Sequence, residues 1–143
     1  MSWRKRLYEF AEKRGFCPGV TEAAIEQAEA ELGERLPDDL RALYLESDGI
    51  QWKDEKLDLI WPLADLLKQN REFRSNDDFR ELYMSFDQLL FISDDGCGNQ
   101  FAIRMLPEPS GGQVYEWDHE SDDRIWRAGS LEDYCRRRLS RKC

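Results

Sequence analysis

Two short acidic segments contain most of the side chains in this sequence that could do chemistry. The first is Asp-Asp-Gly-Cys-Gly-Asn at 94–99, and the second is Asp-His-Glu-Ser-Asp-Asp at 118–123. Clustered carboxylates can bind a cation or transfer protons, and a thiol beside a histidine can act as a nucleophile. Both segments also lie between apolar, strand-like stretches, and solvated hairpin turns are the interpretation we favour for both.

The catalytic interpretations of these segments are incomplete. The spacing and terminal glutamate of a calcium-binding EF-hand loop are missing from 94–99. His119, the sole histidine, lies in the other segment from Cys97, and the sequence identifies no third group to orient it. We therefore predict no catalytic residue, no metal and no cofactor. A small metal-dependent hydrolase stays open as an alternative, with four acidic candidates: Asp94, Asp95, Glu120 and Asp122.

Charge is distributed unevenly along the chain. The formal net charge is −9, and residues 76–123 carry 12 acidic and two basic side chains. A general nucleic-acid binder needs a basic stripe to displace counterions, and only a short one is present, at 136–142. We therefore expect no direct nucleic-acid binding. The acidic block would instead attract a basic protein partner over a long range.

Tryptophans near the acidic segments could anchor such a partner. Trp52, Trp61, Trp117 and Trp126 lie on predicted strands, where alternation buries some side chains and exposes others. One exposed tryptophan inside a rim of carboxylates is typical of a protein-binding surface. We predict a partner-binding surface of eight residues: Asp94, Asp95, Trp117, Asp118, Glu120, Asp122, Asp123 and Trp52.

Three amphipathic helices are predicted in the first 50 residues. Apolar residues recur at helical spacing in each, and serine, threonine, proline and glycine lie where helices begin and end. The three are bounded by Ser2 and Gly15, by Thr21 and Gly33, and by Pro37 and Gly49. A fourth helix is predicted over 62–69 and a short one around 79–83, with a polar loop over 70–76 between them.

Strand patterns dominate the rest of the chain. A hairpin is predicted from 50–52 and 57–61, and an antiparallel meander from 89–93, 100–105, 113–118 and 125–128. Ser130 and Asp133 match a capping box that opens a closing helix. These elements predict an α+β fold, a mostly antiparallel twisted sheet with helices packed on one side. The length of 143 residues fits a single domain over 1–143.

Cysteine usage and hydropathy indicate the compartment. The four cysteines lie far apart and only one histidine is present, so no zinc site can be drawn. No apolar stretch approaches the roughly 20 residues that span a bilayer, and the basic N-terminal residues are not followed by the apolar run of a signal peptide. We expect a cytoplasmic protein with reduced cysteines and no membrane association. The sequence predicts no oligomeric state.

Motifs in both halves follow the order and spacing of a known family. In the first half they are 19–25, 32–33, 36–41, 43–44 and 48–49, and in the second 90–92, 94–99, 101–103, 114–115, 118–120 and 130–134. The glycine-rich hairpin segment Asp94–Asn99 and the helix opening after Gly19 are the most specific of these. The chain resembles the Smi/Knr cell-wall-assembly-regulator branch of the SUKH superfamily over nearly its whole length.

The resemblance implies an α+β fold and a non-catalytic role. Bacterial members of the superfamily are mostly immunity proteins that bind and block a cognate polymorphic toxin, often a nuclease or deaminase domain. Fungal relatives are interaction proteins that regulate cell-wall synthesis. We therefore expect an immunity-type protein that neutralises a basic toxin through its acidic surface. A regulatory or scaffold protein-interaction module is the alternative.

Overall fold

Short helices and two groups of strands make up the fold in the computed structural model, which describes residues 2–12, 14–53, 57–75, 89–105 and 112–140. The helices are α1 (Trp3–Arg6), a 3₁₀ turn (Tyr8–Phe10), α2 (Glu22–Leu32), α3 (Asp38–Glu46), α4 (Leu63–Ser75) and α5 (Leu131–Leu139). The strands are β1 (Arg14–Phe16), β2 (Ile50–Trp52), β3 (Asp58–Ile60), β4 (Leu89–Asp94), β5 (Gln100–Arg104), β6 (Val114–Trp117) and β7 (Arg124–Ala128).

The strands form two antiparallel sheets that meet edge to edge. One has the order β1-β2-β3 and the other β4-β5-β6-β7. Trp61, just after β3, donates its backbone N–H to the carbonyl of Ile92 in β4 at 2.8 Å. The Ser93 hydroxyl also donates to the carbonyl of Asp58 at 2.7 Å. The predicted α+β class and antiparallel meander are confirmed.

Asn70 in α4 fills the place of a neighbouring strand beside β4. Its fully buried side-chain amide donates to the carbonyl of Phe91 and accepts the N–H of Phe91, both at 2.8 Å. The same amide donates to the carbonyl of Leu66. Because α4 continues through Asn70 to Ser75, the polar loop predicted over 70–76 is wrong for residues 70–75.

Helical residues reach both faces of the larger sheet. Phe91 pairs with Ala102, so Phe101, the preceding residue on β5, projects from the opposite face. The ring of Tyr134 in α5 lies 5.3 Å from that of Phe101, and the ring of Phe73 in α4 lies 4.5 Å from that of Phe91. α5 therefore covers one face, and α4 adds Phe73 to the other.

The N-terminal segment departs from its predicted helix. The Ser2 hydroxyl accepts the N–H of Lys5 at 3.2 Å and caps α1 as expected, but α1 ends at Arg6. Gly15 lies in β1 and pairs with Gln51 of β2. The prediction that the first helix extends to Gly15 is wrong, because pairing with a distant strand outweighs the local helical periodicity.

The remaining predicted elements are largely confirmed. α2 begins after the Thr21 cap and ends at Gly33 in a left-handed conformation, and Ser130 caps α5 by accepting the N–H of Asp133. The short helix predicted around 79–83 lies outside the described residues. In the described part of the chain, no helix is long and apolar enough to cross a membrane.

Candidate functional site

The two acidic turns lie side by side at one end of the larger sheet. Gln100, which ends the first turn, pairs with Trp117, which begins the second. The Asn99 side-chain oxygen accepts the backbone N–H of His119 at 3.3 Å and lies 2.8 Å from His119 Nδ1. The register of the meander thus brings together the two segments that carry six of the eight predicted surface residues.

A glycine is required where the turns touch. Gly98 has φ of +105°, and a methyl group on its Cα would lie 2.7 Å from Cε1 of the His119 ring. Any larger residue would strain the backbone and push the ring away. Gly98 therefore fixes the spacing between the turn that follows β4 and the turn that follows β6.

Three of the predicted carboxylates hold the backbone of their own turns. Asp94 Oδ1 accepts the N–H of Gly96 at 3.0 Å, and Asp118 Oδ1 accepts the N–H of Glu120 at 2.9 Å. Asp95 Oδ1 accepts two N–H groups, at 2.7 and 3.1 Å. Such bonds between an aspartate and the backbone just after it are typical of tight turns. These half-buried carboxylates lend negative charge to a preorganised surface.

Glu120 and Asp123 are the freely exposed acids of the site, and the Glu120 side chain is 84% exposed. Asp122 differs, since its carboxylate accepts the Trp117 indole N–H at 2.8 Å and lies 3.4 Å from the Arg124 guanidinium. Its φ of +61° places it in the left-handed region. The prediction that the Asp122 carboxylate lies on the rim of the binding surface is wrong, because this carboxylate bonds to Trp117 and Arg124 within the turn.

Trp117 cannot anchor a partner. The side chain is 2% exposed, and its ring lies 5.9 Å from that of Phe73 and 6.1 Å from that of Phe91. The alternation of β6 directs Trp117 into the core, so the prediction of an exposed aromatic at this position is wrong. Trp52 is half-buried and packs against the core.

Sequence reasoning missed Trp126 as the exposed tryptophan. Its side chain is 47% exposed on β7, the last strand of the sheet, and the neighbouring Ile125 is 40% exposed. The register of β7 shifts opposite Val114 and Tyr115, so strict alternation fails there. The only signal in the sequence is that β7 is the last strand before the closing helix.

Neighbouring carboxylates at this end of the molecule oppose the ionisation of Asp58. Burial and then the charges of Asp65 and Asp94 raise the pKa of Asp58, which lies on β3 beside β4. A side-chain hydrogen bond from Gln51 opposes the shift. In the described ranges, no three histidine, cysteine or acidic side chains lie close enough to hold a metal ion.

The sequence that forms this α+β scaffold matches a known family over most of its length. The model of the SMI1/KNR4 family (SUKH-1) matches residues 19–137. The chain belongs to this family. Among curated proteins, none matches the chain significantly.

Proposed function

We propose that this protein is a non-catalytic, immunity-type protein that binds a cognate bacterial toxin and neutralises it. Family membership supports the class, since the SUKH-1 match extends over residues 19–137. The observation that carries the binding mode is the pair of acidic turns held together through Asn99 and His119. Glu120 and Asp123 project from this pair into solvent.

A basic toxin surface is the partner that this end of the molecule fits best. Clustered negative charges accelerate the encounter with a cationic surface and orient it. The turns are rigid, because Asp94, Asp95 and Asp118 bond to their own backbone, so little ordering is needed on binding. A nuclease or deaminase domain presents cationic groups to its polyanionic substrate, and these carboxylates would compete for the same groups.

Charge reversal at the two exposed acids tests the proposal. Glu120→Lys combined with Asp123→Lys should slow association with the candidate toxin about tenfold at low salt and change dissociation much less, because rim charges act mainly on the encounter. The measurement is surface-based binding kinetics at two ionic strengths. The partner used in the measurement is the C-terminal domain of any toxin that the neighbouring genes encode.

A matched control distinguishes the effect of charge at the acidic turns from the effect of the protein's total charge. Glu26→Lys combined with Glu31→Lys makes the same change in net charge on exposed positions of α2 and should leave association nearly unchanged. An association rate that changes with neither the charge reversals nor the ionic strength would reject the proposal that the toxin binds at the acidic turns. Absence of binding to any toxin encoded nearby would reject the immunity role itself.

A further inference from the structure

Arg138 in α5 is a buried cation that has no carboxylate partner in the part of the chain that the structure describes. Its residue is 8% exposed, and no ion pair to it exists among the described residues. Its three hydrogen bonds all start from Nη1 and reach neutral oxygens: Tyr134 Oη at 2.9 Å, Ser93 Oγ at 3.3 Å and the Asp94 carbonyl at 3.4 Å. A guanidinium has five N–H donors, so Nε and Nη2 retain bonding capacity.

Aromatic rings lie around the Arg138 guanidinium. The Arg138 guanidinium carbon lies 4.6 Å from the centre of the Phe101 ring, 5.7 Å from that of Tyr134 and 5.9 Å from that of Trp52. Cation–π contacts at these distances stabilise a guanidinium, although they leave its positive charge unbalanced. A buried charge normally has an opposite charge beside it. None of the described residues supplies one at Arg138, and this indicates a place for an external anion.

Arg138 lines an open groove between β7 and α5. The cavity has a volume of about 410 Å³, and two further arginines, the exposed Trp126 and a serine complete its wall. The Arg137 guanidinium lies 5.4 Å from the centre of the Trp126 ring. The lining residues are Phe101, Trp126, Arg127, Tyr134, Arg137, Arg138 and Ser140. None of them is acidic.

Charge balance in this groove indicates a single carboxylate as its ligand. Arg127 is paired with Glu116 at 3.0 Å, and Arg137 with Asp133 at 3.0 Å. Among the described residues that line the groove, Arg138 is the arginine left without a carboxylate, so one negative charge would neutralise this site. A guanidinium binds a planar carboxylate in a two-point geometry that a single point charge does not match.

We propose that this groove binds an acidic peptide segment of a partner protein, with one carboxylate at Arg138 and the chain lying against Trp126. A peptide fits better than a free anion because the site combines one cation with an exposed aromatic on an edge strand, next to Ile125. This site differs in charge from the acidic turns, and it does not depend on the immunity proposal.

Titration with defined peptides tests the site without any toxin. The probe is a capped pentapeptide of alternating aspartate and valine, with the asparagine peptide as its neutral counterpart. The readout is the NMR shift of the Arg138 Nε–H and Trp126 indole N–H signals, assigned by their loss in Arg138→Met and Trp126→Phe. The acidic peptide should shift both signals with a dissociation constant no weaker than about 5 mM, and the neutral peptide should bind at least about tenfold more weakly.

Two variants separate recognition from folding. Arg138→Met should weaken the acidic peptide at least about tenfold with an unchanged or higher melting temperature, because it removes a buried unpaired charge. Trp126→Ala changes an exposed side chain, so it should fold normally and also bind at least about tenfold more weakly. Arg71→Met, an exposed site outside the groove, makes the same charge change as Arg138→Met and should bind like the wild type.

Several outcomes would overturn the proposal. They are the absence of any shift with the acidic peptide, equal binding of the neutral peptide, and equal shifts with inorganic phosphate at matched ionic strength, which would make the groove a small-anion site. If Arg138→Met does not fold, wild-type affinity in Trp126→Ala would reject the proposal on its own.

Discussion

Asn70 supplies to β4 the hydrogen bonds that a further strand would otherwise make. Its amide satisfies both backbone groups of Phe91 in the interior. Asn70→Ala should lower the free energy of unfolding by about 3 kcal/mol, since it leaves a buried N–H and a buried carbonyl without partners. Urea denaturation measures this loss. Lys68→Ala, an exposed change on the same helix, should stay within about 0.5 kcal/mol of the wild type.

The raised pKa of Asp58 predicts how the stability of the folded state changes with pH. Burial and the charges of Asp65 and Asp94 make the folded state hold the Asp58 proton more tightly than the unfolded state, whose value is near 3.8. The contribution of Asp58 to the free energy of unfolding is therefore fully present below pH 3.8. It is lost as the pH rises through the pKa that Asp58 has in the folded state. Asp58→Asn should be more stable than the wild type at pH 7.

The advantage of Asp58→Asn should shrink as the pH falls toward 4, where the wild-type carboxyl regains its proton. Thermal unfolding across this range measures the difference. Glu31→Gln, at an exposed position of α2, should show no comparable change in its stability difference. A constant difference between Asp58→Asn and the wild type at all pH values would contradict the electrostatic explanation.

The turn between β6 and β7 depends on Asp122 for its conformation and for its bond to the Trp117 indole. Asp122→Leu should cost about 2 to 3 kcal/mol, because leucine neither accepts that N–H nor tolerates a positive φ. Asp122→Asn keeps both properties and should cost less than about 1 kcal/mol. Equal losses in the two variants, measured by urea denaturation, would show that the carboxylate charge is what matters.

Elements with local signals could be predicted from the sequence, and elements fixed by distant pairing could not. The Thr21 and Ser130 caps and the strand patterns of the meander all predict structure through nearby atoms. β1 forms only because Gly15 meets Gln51 in another part of the chain. α4 continues through Asn70, a poor helix former, because the Asn70 side-chain amide forms hydrogen bonds to the backbone of Phe91 in the sheet.

The candidate site shows the same division. The acidic turns follow from their aspartates and glycines, but their contact through Asn99 and His119 depends on strand register. Alternation alone does not say which face of β6 is buried, so Trp117 was expected at the surface and is buried. Nothing in the sequence distinguishes Arg138 as a binding residue, because an arginine near the end of a helix is ordinarily explained by its interaction with the helix dipole.

The two sheets are linked by a few specific bonds, and these should make the protein unfold as one unit. Besides the backbone bond from Trp61 to Ile92, the Tyr134 hydroxyl of α5 donates to the Leu59 carbonyl of β3 at 2.8 Å. Burial raises the pKa of Tyr134 to about 12, so this donor keeps its proton throughout the neutral range. Far-UV circular dichroism and tryptophan fluorescence should therefore give coincident unfolding curves.

Tryptophans report on both sheets, because Trp52 lies on β2 and Trp117 and Trp126 lie on β6 and β7. A fluorescence change that precedes the loss of circular dichroism would show that one sheet separates first. Tyr134→Phe is a useful comparison, since it removes the bond between α5 and β3 and, within α5, the hydroxyl that accepts from Arg138 Nη1. Its two curves should move together to lower urea concentration.

The Asn70 amide also determines which motion lets solvent deuterium reach the Phe91 N–H. In a paired strand, exchange waits for the neighbouring strand to separate, whereas the acceptor for Phe91 is carried by α4. Exchange at Phe91 therefore measures how often α4 detaches, and exchange at amides between β5 and β6 measures opening of the sheet. A partner that clamps α4 would slow the first rate alone, so the two rates distinguish helix-side contact from contact at the acidic turns.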